Sequence, residues 1–238
     1  SAESAGAREV FLIEEPMAAA IGADLPITEP TCNMVVDIGG GTTEIAVFYE
    51  GTIRHTCELG LGGHNLTNDL SVGLRTPLAE AERLKEEYGS ALSSVIKANH
   101  VVDVPSVGDR EPRRVTQKVL VDIIEARMVE ILEMVNRELL ASGQNNRINA
   151  GIVLTGGSSK IEGLVDLAEE VFHMPVRLGI PQYVTGLVDV VRNPIHATGV
   201  GLLLFGHRNR ALRVPELAGS GGMKSIWNRM KSWFQGNF

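Results

Sequence analysis

A chain of 238 residues with 44% hydrophobic and 21% charged side chains has ample apolar material for a core and too much for wholesale disorder. Its net charge of −7 argues against general nucleic-acid binding, because neutralising phosphates needs a basic surface. The two cysteines, Cys32 and Cys57, make no CxxC pair, which disfavours a metal or disulfide framework and fits a reducing compartment, and no run of about 18 apolar residues is long enough to span a bilayer.

The opening SAESAGAREV has no apolar signal region and reads as the middle of a longer protein. REVFLIEEPMAAAIG (8–22) predicts a short strand followed by a helix, with the proline after Glu14-Glu15 in the first helical turn, where a missing N–H costs nothing. A polar loop (23–33) leads to a buried strand, MVVDI (34–38), then the turn GGGTTE, then strands IAVFYE and TIRHTC joined by a Glu50-Gly51 hairpin. Helices are expected at about 65–73 and 77–88, and strand with loop over 98–114. Residues 115–141 give the strongest helical pattern, with Val119, Ile123, Met128, Ile131, Val135 and Leu139 on a face opposite charged residues. After the polar SGQNNRIN come a buried strand (AGIVL), a glycine turn (TGGSS), a helix (KIEGLVDLAEEVF), a strand (PVRLG) and a final helix (PIHATGVGLLLFG). Periodicity is lost near residue 207, and a glycine-rich linker follows. Strands alternating with helices, with glycine turns at strand ends, indicate an α/β fold.

In VVDIGGGTTEIAVF an aspartate and a run of glycines lie between two strands. Glycines there let backbone N–H groups approach a polyphosphate. Asp37, at the strand end, can hold Mg²⁺ through water, and Thr42 and Thr43 offer hydroxyls to phosphate or to an attacking water. The plain alternative is a glycine-rich hairpin turn. A second loop, LTGGSSKIEGL, follows a strand and opens a helix, where its backbone can face a nucleoside sugar or α-phosphate. One ligand contacted by two loops of one sheet is what a nucleotide cleft needs. The six histidines show no metal-binding spacing, and the few aromatic residues offer no stacking platform for single-stranded nucleic acid.

The end of the chain has a different character. In MKSIWNRMKSWF (223–234), Met223, Ile226, Trp227, Met230, Trp233 and Phe234 fall on one face, with Lys224, Arg229 and Lys231 off it. Residues 223–238 carry +3 and no acidic group, against −10 for the rest of a chain whose total is −7. A core-packing helix would also be amphipathic. This one follows a GSGG linker, holds both tryptophans and has a wholly cationic polar face, the combination of an interfacial helix on an anionic lipid membrane. Full burial of such side chains is worth roughly 1.5–3 kcal/mol each, but an interfacial helix buries them in part and must order first. Single copies therefore bind reversibly, and stable attachment needs several held together.

With its two glycine loops the chain resembles the actin/Hsp70/sugar-kinase superfamily. Residues 8–48 are similar to MreB, the cell-shape actin. From about residue 54, the runs HNLTNDLSVGLRTPLAEAERLKEEYGSAL, VPSVGDREPRR, NAGIVLTGGSSKIEGL, VFHMPVRLGIP and the terminal helix resemble FtsA, the division actin. The resemblance implies the second-half subdomains of an actin-like ATPase fold: an α/β arrangement of a mixed sheet with flanking helices, plus a C-terminal amphipathic helix. It divides the chain into the end of a first-half crossover (1–33), a subdomain 2A (34–74 and 148–206), an inserted subdomain 2B (75–147), a flexible linker (207–222) and a membrane-targeting helix (223–238). The family's first phosphate hairpin and its filament-contact subdomain are expected upstream of residue 1.

By the same resemblance the cofactors are ATP and Mg²⁺. Asp37, Gly39, Gly40, Gly41, Thr42 and Thr43 match the second phosphate loop, and Gly156, Gly157 and Ser158 the adenosine loop. Glu82 and Lys85, which share one helix face, match the helix lining adenine and ribose. Glu15, with Thr42, matches the pair that positions a hydrolytic water in MreB; because FtsA-like proteins are poor ATPases, the resemblance implies at most a weak ATPase, and the alternative for Glu15 is a glutamate that favours the helix dipole. The partners implied are the acidic and apolar C-terminal tail of FtsZ, held on residues 75–147 with Arg110, Arg113, Arg114, Lys118 and Arg127 as candidate contacts, an anionic membrane, and further copies in an actin-like filament, with no nucleic acid. The expected function is an ATP-binding tether of FtsZ filaments, peripheral on the cytoplasmic face of the bacterial inner membrane at the septum. The alternatives are an MreB-like cell-shape ATPase and a nucleotide-free membrane-binding fragment.

Overall fold

The computed structural model describes residues 4–6, 10–96, 100–108, 111–182, 184–186 and 188–213, with side chains as far as Asn209. Helix α1 (Glu15–Gly22) precedes three strands, β1 (Asn33–Ile38), β2 (Thr43–Tyr49) and β3 (Thr52–Leu59). There follow helices α2 (Gly63–Leu74) and α3 (Leu78–Tyr88), a ribbon of β4 (Val101–Val104) and β5 (Arg113–Thr116), and the long helix α4 (Gln117–Ala141). Strand β6 (Ile152–Thr155), helix α5 (Leu164–Phe172), strand β7 (Val176–Leu178), the short α6 (Val188–Val191) and α7 (Ala197–Arg213) complete the described chain.

Five strands form one mixed sheet in the order β3-β2-β1-β6-β7, antiparallel on the β3 side of β1 and parallel on the β6 side. Central strand β1 reads as a continuous apolar run because both of its faces are covered. Met34, Val36 and Ile38 join the larger core with Leu66 and Leu70 of α2 and Ile131 and Val135 of α4. Val35 points the other way, into a smaller core with Ala20 of α1 and Ala197 of α7. The β2–β3 hairpin turns at Glu50-Gly51 with φ of 51° and 74°, the pair of positive values that a two-residue type I′ turn requires.

Helices α1 and α7 meet backbone to backbone. A Cβ at Gly22 would lie 1.7 Å from the Ala197 carbonyl oxygen, and one at Gly201 would lie 1.8 Å from that of Ala18. Glycine at both crossing points is therefore a packing requirement, and the contact fixes where the N-termini of both helices stand.

The structure departs from the sequence reading at several places. No strand forms over residues 10–14, and Leu12 is exposed. On α4 the expected Met128, Ile131, Val135 and Leu139 are buried, whereas in its first turns Leu120, Val121 and Ile124 take the covered positions, with Val119 exposed and Ile123 only partly covered. The helix expected from residue 160 begins at Leu164, because Glu162 is held extended by its bridge to Ser90 and by the Ala91 amide donating to its carbonyl at 2.7 Å. Helix α7 runs to Arg213, through residues expected to be linker. HRNRALR contains no glycine or proline to stop it. The linker beyond Arg213 and the amphipathic segment 223–238 lie outside the described residues.

Candidate functional site

At the C-terminal end of β1 the chain turns through Gly39–Thr42, closed by the Gly39 amide donating to the Thr42 carbonyl at 2.9 Å. Helix α2 starts against this turn: the Gly63 amide donates to the Gly39 carbonyl (2.9 Å) and the His64 amide to that of Gly40 (2.7 Å). The Asn65 side chain accepts from the Gly62 amide at 2.9 Å and caps the helix. No side chain fits at the junction, since a Cβ on Gly62 would lie 2.7 Å from the Gly39 carbonyl oxygen.

The parallel neighbour β6 supplies the second turn. Asp37 and Thr155 are opposite one another across β1 and β6, and the chain leaves β6 through Gly156 at φ 87° into a 3-10 turn, Gly157–Lys160. A Cβ on Gly156 would stand 2.2 Å from Asp37 Oδ1, so only glycine leaves that carboxylate uncovered. The Ser158 hydroxyl donates to the Gly39 carbonyl at 3.2 Å and ties the two turns together.

A cleft of about 840 Å³ opens between them. It is lined by Glu15, Asp37, Gly39, Gly40, Glu82, Lys85, Gly156, Gly157 and Ser158 among the residues singled out from sequence. Gly41 and Thr42 belong to the turn but lie outside this lining, and Thr43 does not serve as expected. Its side chain is fully buried, and its hydroxyl donates to the Leu61 carbonyl at 2.8 Å, where it fastens β2 to the approach of α2. His64, Lys160 and Thr198 line the cleft without having been anticipated. The GG pair just before a helix is a local signal that could have found His64; Thr198 had none.

Charge in the cleft is arranged in two groups. On the α1–α7 side, Thr198 donates to Asp37 Oδ2 at 3.0 Å. Burial raises the Asp37 carboxyl above its ordinary value; the Thr198 bond works against this and the nearby charge of Glu15 adds to it. Glu44 on β2, paired directly with Asp37, is pushed up to about 7 by burial and then by the charges of Glu15, Asp37 and Glu58. Its Oε2 is buried and finds no hydrogen-bond partner among the described residues. On the α2–α3 side, Lys85 Nζ donates to Glu82 at 2.8 Å, to Thr67 Oγ1 at 2.9 Å and to the Gly63 carbonyl at 3.3 Å. The Thr67 hydroxyl in turn donates to Glu82. Burial opposes ionisation of Glu82, but the hydrogen bonds from Lys85 and Thr67, with the charges of Lys85 and His64, outweigh it and hold the carboxyl below its usual range.

No group of three potential ligands is placed to bind a metal directly among the described residues. A single buried carboxylate crowded by a second one suits a cation held through its water shell, since positive charge there relieves both.

The basic residues expected to form a peptide groove are already engaged. Arg127 makes a two-pronged pair with Asp69 (2.6 and 3.1 Å) and also meets Glu130; Lys118 pairs with Asp122 (2.6 Å) and Arg114 with Asp103 (3.2 Å). The Arg113 guanidinium donates to the Leu74 carbonyl. The hollow of about 410 Å³ between α2 and α4 is edged by Asp69, Asp122 and Glu130 as well as Arg127, so it is mixed in charge where a basic groove was expected. Arg110 lies outside the described residues, as do Met223, Lys224, Ile226, Trp227, Arg229, Met230, Lys231, Trp233 and Phe234.

Comparison with known proteins places this geometry. A family model, "Cell division protein FtsA", matches residues 34–201. The cell division protein FtsA of Pseudomonas aeruginosa is 49% identical over 210 residues, which span 86% of this chain and 50% of that protein. The FtsA of Escherichia coli K12 is 41% identical over 214 residues, 86% of this chain and 51% of that one. The chain thus spans about half the length of the curated relatives it matches. Among solved structures, MreB5 of Spiroplasma citri bound to ADP superposes with a TM-score of 0.71 at 20% identity, over 90% of this chain and 65% of that one. The MamK double helical filament gives 0.56 at 23%, over 78% and 58%. The fold is actin-like.

Proposed function

The chain belongs to the FtsA family of cell division proteins, and from that premise we propose that it supplies one wall of an ATP site and, within a longer protein, part of a tether between FtsZ filaments and the membrane. The observation that carries the nucleotide reading is the meeting of Gly39, Gly63 and Gly156 around Asp37, where backbone can approach a ligand with no Cβ in the way. The Spiroplasma citri MreB 5 structures with ADP and with AMPPNP lend it support.

In this reading the Gly39–Thr42 turn presents its amides to phosphate, and Asp37 holds the waters of Mg²⁺. The ion would supply the positive charge that a polyphosphate needs in a cleft otherwise rich in carboxylates. Lys85 and Glu82, locked together through Thr67, form a pre-set rim for the ribose. Ser158 acts as a brace between the two turns, because its hydroxyl is already committed to Gly39. Residues 34–74 and 148–206 then make one subdomain and 75–147 the other, on which the FtsZ tail docks. Residues 223–234 bind anionic lipid at the cytoplasmic face of the inner membrane, at the septum, and copies associate into filaments. Titration of MgATP into the chain, with Asp37→Ala alongside, tests the nucleotide site. Binding that Asp37→Ala abolishes is expected; equal binding by both proteins would refute it, and no binding at all would favour a nucleotide-free membrane module.

A second reading, hydrolysis in the manner of a cell-shape actin, is favoured by one observation: Glu15, at the start of α1, lines the cleft beside Asp37. Glu15 would orient the attacking water, without Thr42, which lies outside the lining. Phosphate release from ATP that survives Glu15→Gln would remove this role.

A further inference from the structure

Among the side chains that line the cleft, the basic ones are Lys85, Lys160 and His64, and they stand among twice as many carboxylates. A bound polyphosphate brings more negative charge, so it needs a donor that is still free. Lys85 is not free, because its ammonium is shared by Glu82, Thr67 and the Gly63 carbonyl. Lys160 ends the second turn, the one that faces the sugar in the nucleotide reading. His64 stands at the first turn. A Cβ on Gly40 would lie 3.2 Å from both its Nε2 and its Cε1, and 3.8 Å from Cδ2. The Nε2 edge of the ring therefore faces the Gly39–Thr42 turn, and the bare Gly40 leaves room for it.

A helix start ordinarily holds phosphate on its open amides. At α2 those amides are taken. Gly62 donates to Asn65 Oδ1, Gly63 to the Gly39 carbonyl, His64 to the Gly40 carbonyl and Asn65 to the Gly62 carbonyl, at 2.7–3.0 Å. Helix α2 thus offers an anion its dipole but none of these backbone donors. What remains is the His64 ring, exposed on the second residue of the helix and lining the cleft.

We infer that His64 reads the length of the phosphate chain. Its Nε2–H donates to an outer phosphate of a nucleoside di- or triphosphate lying on the Gly39–Thr42 turn. A monophosphate ends at the second turn and does not reach it, so the site selects for the longer chain. Lys85 holds the rim in place, and His64 touches the ligand. This rests on the nucleotide reading above and adds to it a residue and a selectivity.

Calorimetric titration of MgATP and MgADP into the whole chain, with AMP read by its displacement of MgADP, tests the inference in wild type and His64→Phe. Phenylalanine keeps a ring over Gly40 and removes the donor. Affinity for MgATP and MgADP should fall about tenfold, as expected for a lost hydrogen bond to a charged acceptor, while AMP affinity stays the same. His64→Gln, which returns a donor, should recover most of the loss. In nitrogen-15 spectra the imidazole signal that is missing from His64→Phe should shift on addition of MgADP and not of AMP. Melting curves without ligand should coincide, because the ring is exposed. Equal MgADP affinity of wild type and His64→Phe would overturn the inference and leave the nucleotide site standing. A loss that extends equally to AMP would overturn it as well, since that marks a structural role. A wild type that binds none of the three ligands would remove the nucleotide reading and this inference together.

Discussion

Glu44→Gln isolates the cost of the carboxylate row that crosses the sheet. Glu44 lies between Asp37 and Glu58 in register, with Glu15 adding its charge from α1, and one of its oxygens is buried without a partner. The carboxyl is held at about 7 in the folded chain against an ordinary 4.5. Each pH unit is worth about 1.4 kcal/mol, so full ionisation costs about 3 kcal/mol before screening. Part of the side chain reaches solvent, which reduces this to about 1–2 kcal/mol. The sign follows from linkage. A group whose folded value is raised binds more protons folded than unfolded between the two values, so stability is complete below about 4.5, falls as pH rises through about 7, and is flat above. Glutamine is neutral throughout and close in shape. Urea unfolding should therefore show Glu44→Gln more stable than the wild type by about 1–2 kcal/mol at pH 8 and nearly equal to it at pH 4.5. A difference that does not change between the two pH values, or a variant less stable at pH 8, would refute the reasoning.

The helix crossing makes a sharper steric claim: Gly201→Ala should lower stability by about 1–3 kcal/mol in thermal unfolding, because its Cβ meets the Ala18 carbonyl at 1.8 Å. Gly199→Ala, two residues earlier with open space around it, should be neutral or stabilising by about 0.5–1 kcal/mol; equal behaviour of the two would count against the packing account. Lys85→Met removes the donor that Glu82, Thr67 and the Gly63 carbonyl share, and MgATP affinity, read by calorimetry, should drop about tenfold or more. Vesicle co-sedimentation should be lost when residues 223–238 are removed, and should weaken when anionic lipid is replaced by neutral lipid; binding retained by the shortened chain would exclude the terminal segment as the anchor.

The sequence showed most clearly what is encoded locally. The two glycine turns could be read because the strand end, the glycines and the following element are neighbours in the chain; Glu82 and Lys85 came from the family resemblance, since their spacing alone is common on helix surfaces. What could not be read depends on groups far apart in the chain. Thr198 reaches Asp37 across 161 positions, and Arg127 finds Asp69 across 58; a list of basic residues does not reveal that Arg114, Lys118 and Arg127 are already paired with carboxylates. Thr43 shows a related limit. Its hydroxyl sits in a phosphate-loop motif, yet strand alternation buries it, and its donor goes to Leu61. The departure at Val119 and Ile123 has a plain cause as well, since Leu120 and Ile124 beside them fit the same helical spacing and only the packing of neighbouring elements decides which pair is covered. Helix α7 continues past residue 207 because HRNRALR holds no glycine or proline to break it, whereas its composition alone reads as linker.

The contact of Gly22 and Gly201 with the opposing backbones has a mechanical consequence. Side chains between two helices act as a cushion that can change rotamer and absorb a small displacement. At these two crossing points there is none, so α1 and α7 are coupled stiffly there. Glu15 stands at the start of one and Thr198 at the start of the other, and both reach into the same cleft. Helix α7 then runs about 24 Å to Arg213, where the chain continues toward its cationic end. A tilt of α1 at the cleft would therefore carry α7 with it rather than be absorbed between the two helices.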